Sequence, residues 1–201
     1  MQSSSLSKLF DRITEDIVAD PMRITAHHDM PFAILCYPPK QEMLARKHIR
    51  LCASRINETG QRTVRFLSIA SLFWESIEQS HGLEKLFDYE KSWGFERMEN
   101  RIFKLLGSEK HANLHRRLAE AISRYSASSD IVFLVRAGAL APTHYRVSTL
   151  MEALYLQTTV PCILFYPGTY EGGNALRFMD LPGETHLASP QYRVTIYGIE
   201  Q

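Results

Sequence analysis

His111 and His115 stand four residues apart in KHANLHRR. On one helix face that spacing brings two imidazoles within reach of a single metal ion. The same segment holds Lys110, Arg116, Arg117 and Arg124 and offers no third ligand. Positive charge repels a cation, so a solvated basic face is the simpler reading. His27-His28-Asp29 is the other histidine cluster. Adjacent side chains do not converge easily on one centre, and a plain loop accounts for them.

Arginine and lysine carry more of the pattern. Residues 40–57 hold Lys40, Arg46, Lys47, Arg50 and Arg55 against one carboxylate, Glu42. Arg46 and Arg50 are one helical turn apart and share a face. With Arg97, Arg101, Lys104, Lys110, Arg116, Arg117 and Arg124, the middle of the chain is locally basic. Such a stripe can track phosphates, each contact releasing a counterion. It can also meet an acidic protein surface, or simply be solvated. Arg46, Lys47, Arg50, Arg116 and Arg117 are the candidate contacts for nucleic acid or an acidic partner. A net charge of only +1 argues against strong DNA binding.

Two further segments sit where α/β proteins place function, beyond the carboxyl ends of strands. The first runs from Arg136-Ala137-Gly138 to His144, Tyr145 and Arg146. A strand ends there, a loop follows, and basic and aromatic groups precede a helix; alternatively, Gly138 merely permits a turn and Thr143 caps the helix. The second is YPGTYEG at 166–172. Tyr166 and Tyr170 offer large contact area with few rotors, and Glu171 adds charge; a structural turn into an edge hairpin is the competing reading. Arg136, His144, Tyr145, Arg146, Tyr166, Tyr170 and Glu171 are the candidate interaction residues.

Known catalytic signatures are missing. The sequence holds no GxxxxGK[ST], no GxGxxG after a strand, no GxSxG and no HExxH. A functional P-loop is therefore not expected, nor catalytic residues, a metal or a cofactor.

The elements that must position these residues follow from periodicity. PFAILCY at 31–37, TVRFLSI at 63–69, DIVFLV at 130–135 and VPCILFY at 160–166 are short apolar runs of strand character. Helical spacing predicts helices over 7–19, 40–57 and 145–156. The region 71–125, broken near Gly82, Gly94 and Gly107, predicts two to four more. Leu72, Phe73, Ile77, Leu83, Leu86 and Phe87 form one apolar stripe there. Residues 175–179 and 192–199 read as strands with no helix between them, predicting an antiparallel pair at a sheet edge. The expected fold is α/β: a three-layer, Rossmann-like or P-loop-like sandwich. Its central sheet is mainly parallel, helices cover both faces, and an antiparallel C-terminal hairpin sits at the edge. One domain spans 1–201, with an N-terminal helix in 1–20 and a helical insertion at 71–127.

Composition sets the class: 45% hydrophobic and 22% charged residues suit a globular core. Cys36, Cys52 and Cys162 are scattered and form no CxxC, which predicts buried thiols in a reducing compartment. No apolar run reaches the ~18–20 residues of a membrane span, and no signal-peptide core is present, so a cytoplasmic location is expected.

Three segments, taken together, resemble the BrxB family of bacterial BREX (bacteriophage exclusion) systems. They are PFAILCYPPKQEMLARKHI, DIVFLVRAGALAPTHYRVSTLMEAL, and VPCILFYPGTYEGGNALRFMD with the terminal YRVTIYGI. The FYPG-x-Y-[DE]-G piece at 165–172 is the most specific. The resemblance implies a non-catalytic component of phage defence. Its expected partners are the PglZ-like alkaline-phosphatase-superfamily protein above all, the PglX methyltransferase and the BrxC ATPase. It assigns no catalytic residues. Two other functions stay open: a nucleic-acid-binding module using the basic helices, and a degenerate nucleotide-binding sensor with Arg136, His144, Arg146 and Glu171 in a strand-end cleft.

Overall fold

The computed structural model describes residues 2–24, 32–80, 82–106, 114–141, 143, 145–154, 157–172, 175–181, 185–187 and 194–198. The chain opens with α1 (Gln2–Val18), β1 (Phe32–Tyr37), a short 3-10 turn (Pro39–Gln41) and α2 (Glu42–Thr59). Next come β2 (Thr63–Ser68), then α3 (Ile69–Ser80), α4 (Leu83–Trp93), α5 (Phe95–Leu106) and α6 (Leu114–Ile122). β3 (Asp130–Val135), a 3-10 turn (Ala137–Leu140), α7 (Val147–Leu154) and β4 (Cys162–Gly172) follow. The last strands are β5 (Ala175–Phe178), β6 (Thr185–Leu187) and β7 (Thr195–Tyr197).

The sheet order is β2-β3-β4-β1-β7, and every neighbour along it is parallel. β1 and β4, the two most continuous apolar runs, lie side by side in its middle. Alternation along each strand divides the core in two. Ala33, Leu35, Ile131, Phe133, Ile163 and Phe165 face α1 and α2. Ile34, Cys36, Val132, Leu134, Cys162 and Leu164 face α3 to α7. A mainly parallel sheet with helices on both faces is thus the architecture. The crossover from β1 to β2 passes through α2 on one face; those from β2 to β3 and from β3 to β4 reverse direction and use the other. Changing direction and face together keeps the crossovers of one hand.

α2 buries Ala45, Ile49, Cys52, Ala53 and Ile56, a stripe of helical period. Leu51 lies off that stripe and is exposed. Gly60 closes the helix in the left-handed conformation at φ 71°. The region 71–125 resolves into the later part of α3 and all of α4, α5 and α6, with Gly82 and Gly94 at breaks. Its apolar stripe is only partly inward: Phe73, Ile77 and Leu86 are buried, whereas Leu83 and Phe87 are exposed.

The C-terminal strands depart from expectation in their partners. β5 pairs antiparallel with the long end of β4 and with β6. β7 instead lies parallel to β1 at the sheet edge. Absence of an intervening helix is a weak guide here, because the chain between β5 and β7 is long enough to cross the sheet. The three cysteines are free and buried, and burial pushes Cys36 up to about 12 and Cys52 up to about 11.

At the amino end of β3, Asp130 accepts the Ser126 N–H and the Arg65 Nε–H, both at 2.8 Å. The Ser126 bond first, then Arg65, hold its carboxyl below the usual carboxylate range. A lowered folded value means that this contribution is complete above the ordinary pKa of ~3.9 and fades as pH falls through the folded one. Asp130→Asn is therefore expected to lower the urea midpoint most at pH 7, the difference from wild type shrinking toward pH 2.

Candidate functional site

The carboxyl ends of β1 and β3 frame a cleft. β1 delivers Tyr37 to the start of α2, where its hydroxyl donates to Glu42 Oε2 at 2.5 Å. Arg46 Nε donates to the other oxygen, Glu42 Oε1, at 2.7 Å. Burial and the Glu42 carboxylate push the Tyr37 hydroxyl far up, so it stays protonated and donating. Glu42 is thus a bracket that aims Arg46. One turn on, Arg50 lines the same cleft, and Arg136 closes it from β3. Its volume is about 200 Å³, and Phe66, Ile49 and Val135 supply an apolar wall.

A second lobe of about 250 Å³ shares Glu42, Arg46 and Arg136 and continues to Pro39, Pro167 and Met179. The three arginines face one carboxylate. Among the described residues Arg50 and Arg136 have no ion-pair partner. The backbone is unusual here too. Arg136 (φ 62°), Met179 (φ 51°) and Asp180 (φ 57°) are the described non-glycine residues of positive φ. Two of the three line this cleft. Such conformations persist where surrounding structure over-determines them, and they gather at binding sites. The position is also the point where the crossovers from β1 and β3 leave toward opposite faces, the usual ligand crevice of an open parallel sheet.

Two groups of residues that the sequence kept apart therefore meet: Arg46 and Arg50 from α2, and Arg136 from the β3 loop. Lys47 is exposed on α2 outside the cleft. Arg116 and Arg117 belong to α6, on the opposite layer from α2. Arg116 pairs with Glu120 at 3.5 Å, and Arg117 donates to Gln79 Oε1 at 2.5 Å. Among the described residues, the sheet thus separates the basic groups of α2 from those of α6.

The remaining candidates separate by burial. Tyr145 and Tyr166 are 3% and 2% exposed. Both were expected at an interface, and burial removes them from the surface. Tyr145 reaches His115 Nδ1 at 3.4 Å. Thr143 accepts the Tyr145 N–H and donates to the Leu140 carbonyl. It shapes the turn before α7 instead of capping the helix. Arg146 is exposed at that turn. His144, like His27, His28 and His111, lies outside the described residues. Tyr170 packs against Gly198, where an added Cβ would lie 2.6 Å from the tyrosine ring. Glu171 pairs with Arg177 across the β4–β5 hairpin. Of the described residues named for a sensor-type site, Arg136 lines the strand-end cleft, and Arg146 and Glu171 lie outside its lining.

Sequence reasoning missed Tyr37, Phe66 and Met179 in the cleft. Glu42 had a signal, since a lone carboxylate four residues before an arginine is a helix-pair spacing. Among the described residues no group of three or more His, Cys, Asp or Glu is placed to hold a metal.

The BrxB family model, described as BREX protein BrxB, matches residues 65–193. The chain belongs to the BrxB family. A BREX protein BrxB from Bacillus cereus (strain H3081.97) is 28% identical over 165 residues, covering 82% of this chain and 84% of that protein. No solved structure matches. As a BrxB-family protein the chain is a component of a BREX system, with a role in phage defence and other BREX proteins as partners. The matched span takes in Phe66 and Arg136 of the cleft and all of α3 to α6. Among the described residues no helix is long and apolar enough to cross a membrane.

Proposed function

We propose that this protein is a non-catalytic adaptor of BREX defence, working in the cytoplasm and docking to the PglZ-like member of the system. One observation carries the reading. The helices α3 to α5 present large aromatic side chains to solvent: Trp74 at 53%, Phe87 at 57%, Trp93 at 45% and Phe95 at 57% exposure. Exposed aromatic residues gathered on neighbouring helices are what a protein interface uses. Trp93 is held ready, its ring stacked on Tyr89 at 4.5 Å with the Arg101 guanidinium 6.0 Å from its centroid. A preset aromatic anchor loses little freedom on binding. The same helices intersperse Glu75, Glu78, Glu84, Asp88, Glu90, Glu96 and Glu99 with Lys85, Lys91, Arg97, Arg101 and Lys104, so a rim of mixed charge on the partner complements them.

The test is size-exclusion chromatography of the chain mixed with the PglZ-like protein of the same system. Co-elution is expected. Trp74→Ala combined with Phe87→Ala is expected to weaken binding about a hundredfold or more, as loss of interface hot spots does. These side chains are half exposed, so the melting temperature should barely move. Co-elution with the methyltransferase or ATPase alone would redirect the docking claim. Failure to bind every other component would remove the adaptor reading.

A further inference from the structure

We propose that the strand-end cleft binds a small phosphorylated ligand of the nucleoside-phosphate class. The inference is independent of the adaptor reading and uses a different surface.

The cleft gathers three guanidinium groups, Arg46, Arg50 and Arg136, around one carboxylate. Glu42 is already engaged on both oxygens by Tyr37 and Arg46. Like charges brought together repel one another, and nothing among the described residues neutralises Arg50 or Arg136. An anion does so. Guanidinium forks match phosphate geometry, and three forks suit a phosphate, whose oxygens outnumber those of a carboxylate. Arg46 is pre-aimed: Glu42 takes its Nε and leaves both terminal nitrogens without a partner among the described residues. Arg136 is held in the left-handed conformation at the mouth, and Met179, also left-handed, borders the second lobe.

The rest of the lining indicates what else the ligand carries. Phe66 lies in the cleft wall and is 46% exposed. It rests edge-on against the buried Phe133, ring centroids 5.7 Å apart, so its own free face is fixed in place. A flat aromatic face beside an arginine cluster suits a heterocyclic base next to its phosphates. The lobes of about 200 and 250 Å³ are joined through shared residues. That is room for a small ligand, not a duplex.

Isothermal titration calorimetry on the full chain at low ionic strength tests this. The probes are adenosine, AMP, ADP, ATP, the guanosine series, inorganic phosphate and a duplex oligonucleotide. Saturable binding of a nucleoside phosphate is expected, tighter than inorganic phosphate and tighter than the bare nucleoside. Arg50→Ala and Arg136→Ala should each weaken it about tenfold or more, the loss of one charge-assisted contact. Phe66→Ala should weaken nucleotide binding and leave phosphate binding unchanged. Lys47→Ala, a charge on the same helix outside the cleft, should have no effect. Circular dichroism melts confirm that each variant is folded. No saturable heat with any phosphorylated probe would overturn the proposal. So would binding indifferent to Arg50→Ala and Arg136→Ala, or binding of the duplex alone.

Discussion

Phe165→Ala is expected to lower the unfolding free energy by about 3–5 kcal/mol, the usual range for removing a buried aromatic ring. Phe165 is fully buried on β4 and touches two other rings. Phe133 on β3 meets it edge-on at 4.9 Å, and Phe10 on α1 stacks over it at 6.0 Å. The ring therefore joins α1 to the middle of the sheet, and a cavity there loosens both. For a chain of this length the melting temperature should fall by roughly 6–20 °C. Denaturant unfolding measures the change. The location gives a sharper check: Phe10→Ala and Phe165→Ala should be non-additive, because each removes the other's stacking partner. Additive losses would mean that α1 docks without help from this ring.

Gly168→Ala is the second large effect. Gly168 is buried in β4 opposite Phe178, where β4 leaves the parallel sheet and begins its antiparallel pairing with β5. An added Cβ would overlap the Arg177 carbonyl oxygen and stand 2.7 Å from the Tyr166 ring. The oxygen is backbone and cannot swing aside. The substitution should destabilise by about 3 kcal/mol, the upper end for overpacking. It should do so locally, parting β5 and β6 from β4. The Met179 N–H bond to the Pro167 carbonyl, 2.9 Å, borders the strand-end cleft and should open with them. Hydrogen exchange checks this: residues 175–179 should lose protection while β1 and β3 keep theirs. Uniform loss across the sheet would contradict a local role. This is the physical reason for a glycine in the FYPG segment, which the sequence marked as its most specific piece.

What the sequence reveals depends on how local the cause is. β1 is legible because six consecutive buried residues leave an apolar run that only a strand covered on both faces explains. The end of α2 is legible because Gly60 alone supplies the left-handed turn. Phe87 and Leu83 are misread for an instructive reason: their spacing fits an inward helical stripe, yet α4 buries only Leu86 fully. Periodicity finds an apolar face but not whether this chain covers it. The cleft fails in another way. Arg46 and Arg136 each stand out locally, but their meeting rests on strand order, with β1 separated from β3 by a strand made later. No local pattern encodes that. The pairing of β7 with β1 is non-local in the same sense.

The placement of β1 has a consequence for how the chain is made. It leaves the ribosome early, yet its ladder neighbours are β4 and β7, both from the last quarter of the chain. Until β4 emerges, FAILCY has no backbone partner on either side, and β2 cannot supply one because it belongs beside β3. Helices α2 to α6 are complete by then, so the nascent protein is a set of formed helices around an unpaired apolar strand. Long-range pairing of this kind folds slowly and exposes strand edges meanwhile. A holding chaperone during translation, or slow elongation before residue 162, should therefore raise the yield of folded protein more than any change made to the finished surface.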